Sequence, residues 1–138
     1  MKLEIFTDGA ARGNPGPAAV GVAVYDEAKK LIEEYNEFLG HATNNTAEYK
    51  ALIAGLKAAK KYVPCSICFF LDSELVVRQM KREWKVRDAN LAGLFEKAQS
   101  QLGEFEKVEF KYIPREQNKV ADSLANKALD NVAKQNRL

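Results

Sequence analysis

The chain has 138 residues, 46% apolar and 29% charged, a balance that fits one globular domain over residues 1–138 and excludes a disordered or fibrous chain. No apolar run nears the ~20 residues of a membrane helix, and the opening MKLEIFTDG has too short an apolar stretch for a signal peptide, so a soluble cytoplasmic protein is expected, with no membrane partner. A net charge of only +2 excludes a bulk basic signature, so any electrostatic footprint for nucleic acid must be local.

In chain order, residues 2–8 predict a strand ending at Asp8, and 9–17 a turn-rich loop. Residues 18–25 predict a second strand, 26–30 a hairpin turn, and 31–39 a third strand. The pattern then takes a helical period. Asn45 is the expected N-cap, with Glu48 three residues on as in a capping box. Ala51, Leu52, Gly55, Ala59 and Tyr62 form the apolar stripe, and Pro64 stops the helix.

The run SICFFL, 66–71, suits a central strand buried on both faces. Cys65 and Cys68 form a CxxC spacing beside it. With no second pair and His41 as the one histidine, they read as buried reduced thiols rather than a redox or zinc motif. Helices are expected at about 73–82 and 89–102, and a strand at 107–113 that Pro114 breaks. A last helix starts near Asn118 and carries Val120, Ala121, Leu124, Ala125, Ala128 and Leu129 inward. The order βββαβααβα implies an α/β fold: a five-stranded mixed sheet whose first three strands form an antiparallel meander, flanked by helices.

Two acids end strands, Asp8 and Asp72. If those strands are parallel neighbours, both carboxylates meet beyond the carboxyl end of the sheet, where open α/β sheets bind ligands. Glu48 and Asp122 each stand on a helix stripe that is otherwise apolar and free of Lys and Arg. Taken singly, these residues read as a turn starter, a capping-box acid, a helix N-cap and a first-turn acid. Taken together they would converge without a cationic partner, a repulsion that a divalent cation resolves. Oxygen-only ligation suits Mg²⁺ or Mn²⁺, and four carboxylates can hold two ions about 3.5–4 Å apart.

The blocks FTDGAARGNPGP, TNNTAEYKAL, LDSELVV and REQNKVADSLANKA, in this order and across nearly the whole chain, resemble the four signature blocks of type 1 ribonuclease H. The resemblance implies a ribonuclease H-like fold and endonucleolytic cleavage of the RNA strand of RNA–DNA hybrids, leaving 3′-hydroxyl and 5′-phosphate ends. It implies catalytic, metal-binding roles for Asp8, Glu48, Asp72 and Asp122, with Asp8 bridging two Mg²⁺ or Mn²⁺ ions when substrate is bound. Asn14, Asn44 and Asn45 match positions that touch the RNA strand, and Glu48 one that helps read a 2′-hydroxyl. Thr43 matches a residue of a DNA-phosphate pocket in which His41 replaces a frequent Arg.

Arg78, Lys81, Arg82 and Lys85, about one helical turn apart, with Trp84 and Arg87 beside them, read either as a DNA-strand track or as a solvated face. The chain departs from many members of the family in several places. MKREWKVRDANL runs from helix to helix with no basic protrusion, and nothing in the length suits a hybrid-binding domain. Glu74 and Asp88 stand where many members have Gln and Asn, with Asn90 close enough to substitute. The loop before Asp122 has Arg115 and no His. Arg stays protonated, so Arg115 is expected to assist by contacting a phosphate, not as a general base. Competing readings are a nuclease of the same fold that also accepts double-stranded RNA, and a catalytically silent nucleic-acid-binding module. The four-acid set argues against the second. No obligate protein partner is evident.

Overall fold

The computed structural model describes residues 1–136. The strands are β1 (Lys2–Ala11), β2 (Gly16–Tyr25), β3 (Leu31–Ala42), β4 (Ser66–Leu71) and β5 (Lys107–Tyr112). The helices are α1 (Asn44–Ala59), α2 (Glu74–Met80), α3 (Ala89–Gln101) and α4 (Lys119–Gln135). They follow in the expected order, βββαβααβα. The strands make one five-stranded sheet, β3-β2-β1-β4-β5. β1, β2 and β3 pair antiparallel, while β1–β4 and β4–β5 pair parallel. The chain order therefore reverses between β1 and β4, with Thr7 opposite Leu71 at the end of that ladder. The next residues on the two strands are Asp8 and Asp72.

The two faces of the sheet are covered differently. On one, α1 packs over β1 and β2 and also meets α3. Leu3, Ile5, Val22, Val24, Tyr49, Leu52, Leu56 and Phe69 form the bulk of the core there. On the other, α4 lies across β1, β2 and β3 through small residues, with Ala19, Ala128 and Leu129 clustered against Ala10. Ala121 and Ala125 of α4 are fully buried as well.

Several local expectations change. The loop after β1 is shorter than 9–17, because pairing with β2 continues through Ala11 opposite Ala18. The α1 cap is Thr43, whose hydroxyl accepts from the Thr46 amide, not Asn45. Glu48 makes no capping box, since its carboxylate turns to the sheet instead. α2 stops at Met80, and Arg82 takes a left-handed φ of 62°. The basic residues at 78–85 thus do not share one helical face. Val120 is 40% exposed rather than inward. β4 is not sandwiched by helices throughout: half-buried Phe70 stacks on Phe6 at 4.7 Å, under Lys111. Both cysteines are buried and free. Among the described residues, no helix is long and apolar enough to cross a membrane.

Candidate active site

Asp8 is placed by the central strand of the sheet and is 5% exposed. Asp72 follows β4 directly, and the adjacent Ser73 caps α2 by accepting from the Val76 amide. Glu48 reaches the same place from the second turn of α1, where it is 8% exposed and its Oε1 accepts from the Gly9 amide at 2.5 Å. One carboxylate oxygen from each of Asp8, Glu48 and Asp72 can be chosen so that all lie within 4.8 Å of one another. Asp122, in the first turn of α4, lines the same open cleft of about 370 Å³.

Two glycines permit this convergence. A Cβ on Gly9 would lie 2.1 Å from the Ala47 carbonyl carbon, so only glycine lets α1 bring Glu48 down onto β1. Gly21 lies opposite Asp8 on β2, and a Cβ there would lie 2.0 Å from the Ala121 carbonyl oxygen. The first turn of α4 therefore rests on bare backbone, and Asp122 follows from it.

The electrostatics fit the crowding. Asp8 is pushed up from 3.8 to about 10, first by burial and then by the charges of Glu48, Asp72 and Asp122. Glu48 rises from 4.5 to about 8, chiefly by burial, although the Gly9 amide opposes the rise. Among the described residues, the cleft is lined by one cationic side chain, Arg115. It is 77% exposed, with Nη2 3.6 Å from Asp122 Oδ1. That contact at the rim leaves the three inner acids uncompensated. An all-oxygen donor set with excess negative charge suits a hard divalent cation of the Mg²⁺ or Mn²⁺ type, and offers no thiolate or imidazole for a softer one.

The other expected residues divide into two places. Asn44 lines the cleft, and its amide donates to Asn14 Oδ1 at 3.0 Å, which ties the loop after β1 to the start of α1. The Asn14 carbonyl is thereby used, and its NH₂ makes no hydrogen bond among the described residues. Asn45 and Thr43 are exposed beside them, and His41 is exposed at the end of β3, opposite Pro17. Trp84 is not brought to the cleft. It lies in a separate groove with Arg82, Val86 and Phe95, 44% exposed, with the Arg78 guanidinium 5.6 Å over its ring. Arg78 also pairs with Glu74 and Glu83, so its charge is already shared. Asp88 caps α3, accepting from the Asn90 and Leu91 amides.

Two residues that touch the acids escape a reading of the sequence. Asn126 donates to Asp122 Oδ1 at 3.2 Å, and Arg12 reaches Asn126 and Asp130 from the loop after β1. The i, i+4 spacing of Asp122 and Asn126 is a signal that could have shown the first contact. Asn118 donates to Asp72 Oδ2 at 3.1 Å and to the Thr7 carbonyl at 2.9 Å. Partners 46 and 111 residues away leave no local signature.

Residues 6–128 match the model of the family described as "Reverse transcriptase-like". The chain is 42% identical over 134 residues to the protein called "Bifunctional protein Rv2228c" of Mycobacterium tuberculosis, covering 96% of this chain but 37% of that protein. It thus spans little more than a third of the length of that relative. Among solved structures, RNase H1 from the halophilic archaeon Halobacterium salinarum superposes with a TM-score of 0.92 at 40% identity, over 95% of this chain and 99% of that one. LC11-RNase H1, solved in complex with an RNA/DNA hybrid, superposes with a TM-score of 0.91 at 39% identity, over 95% and 99% of the two chains.

Proposed function

This chain belongs to the type 1 ribonuclease H family within the reverse transcriptase-like domains, and from that premise we propose that residues 1–138 act as one catalytic domain that hydrolyses the RNA strand of RNA–DNA hybrids, leaving 3′-hydroxyl and 5′-phosphate ends. The observation that carries this reading is the meeting of Asp8, Glu48 and Asp72 at the point where the strand order reverses, with Asp122 across the same cleft. The complex of LC11-RNase H1 with a hybrid supports the substrate class.

In this reading Asp8, Glu48, Asp72 and Asp122 hold two divalent cations, Mg²⁺ or Mn²⁺, when substrate is present. The cations supply water activation and neutralise charge that builds on the phosphate and the leaving oxygen. The chain's own residues do the rest. The Gly9 amide fixes the rotamer of Glu48. The free NH₂ of Asn14, with Asn44 and Asn45, reads the RNA strand, where donor and acceptor groups are needed to recognise a 2′-hydroxyl. Thr43 and His41 take a phosphate of the DNA strand, and Trp84 packs against that strand further along. Arg115, exposed at the rim and always charged, contacts a phosphate of the substrate.

The test is a labelled-hybrid cleavage assay with Mg²⁺, with Mn²⁺ and with chelator, run beside double-stranded and single-stranded RNA. Cleavage of the RNA strand of the hybrid, dependent on metal and absent with chelator, is the expected result. Equal cleavage of double-stranded RNA would move the substrate class. Hybrid binding without cleavage under any metal would overturn the enzyme reading.

A further inference from the structure

Asn118 is the N-cap residue of α4, and its side chain forms no capping bond to that helix. Asparagine is favoured at such positions because its oxygen accepts from the first-turn amides. Here the side chain is fully buried and turned the other way, with Nδ2 2.9 Å from the Thr7 carbonyl oxygen and 3.1 Å from Asp72 Oδ2. Both partners are acceptors, so the amide has one allowed orientation. A flip would set Oδ1 against two oxygens. Both N–H groups are consumed, and Oδ1 is left buried without a partner. A buried acceptor without a partner and a helix cap left unmade both cost stability. A residue chosen for the stability of α4 would do neither.

The placement gives the cost a purpose. Thr7 precedes Asp8 on β1. Asp72 follows β4. The Asn118 carbonyl accepts from the Asp122 amide at 3.1 Å. One side chain and its own backbone thus join the three segments that carry Asp8, Asp72 and Asp122. We propose that Asn118 is a positioning residue of the active site: it holds Asp72 by Oδ2, so that this carboxylate presents its other oxygen to a cation, and it fixes the spacing between β1 and the first turn of α4. The proposal rests on the reading of the acids as a cation site. Removing the outer hydrogen bond of a metal-binding carboxylate typically costs 10–100-fold in metal affinity or activity.

The experiment uses Mg²⁺ alone as the probe, on the metal-free, ¹⁵N-labelled 138-residue chain. The Asn118 side-chain NH₂ pair and the Gly9 backbone amide, which is bonded to Glu48, are followed through a titration. Both are expected to shift with a common midpoint. Movement of Gly9 with a stationary Asn118 pair overturns this proposal and leaves the cation site standing. No movement anywhere overturns the cation site itself. In Asn118→Ala the Mg²⁺ midpoint of the folded protein is expected to weaken about 10–100-fold. Asn118→Ser, which retains one donor, should lie between Asn118→Ala and wild type. A purely structural role would lower the unfolding temperature and leave the midpoint of the folded fraction unchanged, and that result overturns the proposal. The wild-type titration decides even if neither variant folds.

Discussion

α1 and α4 each bring one acid to the same cleft, from opposite faces of the sheet, and they are anchored by different means. α1 is held by large buried side chains, Tyr49, Leu52 and Leu56, and the Tyr49 hydroxyl is itself bonded to buried Gln79 at 2.6 Å. α4 is held by alanines on a bare stretch of β2, and by bonds along its flanks: Asn36 to the Leu124 carbonyl, and Arg12 to Asp130. Glu48 is 8% exposed, while the Asp122 side chain is 30% exposed beside Arg115. Bulk packing fixes an inner acid firmly. A thin seam of small residues allows close approach and leaves the outer acid adjustable.

The largest expected effect removes what the two helices share. Asp8→Asn should abolish hybrid cleavage while keeping the fold, because the amide is isosteric but cannot serve as an anionic ligand. The same change should stabilise the metal-free protein at neutral pH. Asp8 and Glu48 bind protons more tightly folded than unfolded, since both are raised, to about 10 and about 8. Their contribution is therefore fully present below about pH 4, the unfolded range of such carboxyls, and is lost as pH climbs through the folded values. Thermal unfolding of the metal-free protein should show stability falling from pH 4 toward pH 9. Mg²⁺ should reverse the fall, and Asp8→Asn should flatten it. A metal-free protein that gains stability over that range would contradict the account.

Next come the glycines. Gly9→Ala and Gly21→Ala each drive a Cβ to about 2 Å from backbone of the facing helix. Both should cut cleavage severely. The comparison predicts different stability costs. α1 cannot yield without disturbing its large side chains, so Gly9→Ala should cost more than about 3 kcal/mol, beyond the usual overpacking range. α4 can lift on its alanine seam, so Gly21→Ala should fall within about 1–3 kcal/mol. Denaturant melts of the two variants measure this, and a larger loss for Gly21→Ala would break the comparison. Gly93→Ala, on an open face of α3 with nothing near its Cβ, should gain about 0.5–1 kcal/mol as a control.

These glycines also mark the limit of what could be read from the chain itself. The element order, the sheet class and the strand at 66–71 were legible because period and turn chemistry are local. The meeting of Asp8 and Asp72 was legible as a condition, and the parallel β1–β4 ladder meets it. Glu48 was correctly placed on an inward stripe, yet its local pattern also spelled a capping box, and the tertiary bond to Gly9 prevailed. Gly21, Asn118 and Asn126 stayed hidden as parts of the site. Their work depends on which backbone or acid lies opposite, and for Gly21 and Asn118 sequence distance carries no trace of it. Trp84 stands in a groove apart from the acids, because the helix expected through residue 82 ends at Met80 and Arg82 takes a left-handed φ.

A smaller effect tests the adjustable acid. Arg115→Ala should leave the unfolding temperature nearly unchanged, because the Arg115 side chain is 77% exposed. If Arg115 contacts a substrate phosphate, turnover should drop about tenfold, the equivalent of one charge-assisted hydrogen bond. Arg115→Lys, which keeps the charge, should recover part of that loss. Single-turnover rates on the hybrid would show it, and an unchanged rate in Arg115→Ala would remove Arg115 from the mechanism.

The smallest effect concerns the flank of α4. Arg12 Nη2 lies 2.6 Å from Asp130 Oδ1, with the two side chains 43% and 68% exposed, so Arg12→Ala should cost only about 0.2–1 kcal/mol, and less at high salt. Its position makes the site effect separable from the stability effect. The same guanidinium reaches Asn126 Oδ1 at 3.3 Å, and Asn126 in turn holds Asp122. The loop that carries Asn14 is thereby joined to the outer acid. Loss of Arg12 should loosen that acid and the loop together, raising KM for the hybrid about two- to threefold, the size of a few tenths of a kcal/mol. Glu48 has no such link, since its amide partner belongs to β1 itself. Crystallographic or NMR measurement of side-chain order in Arg12→Ala should therefore find Asp122 more mobile and Glu48 unchanged. Equal loosening of both acids would show that the two helices are not independently anchored.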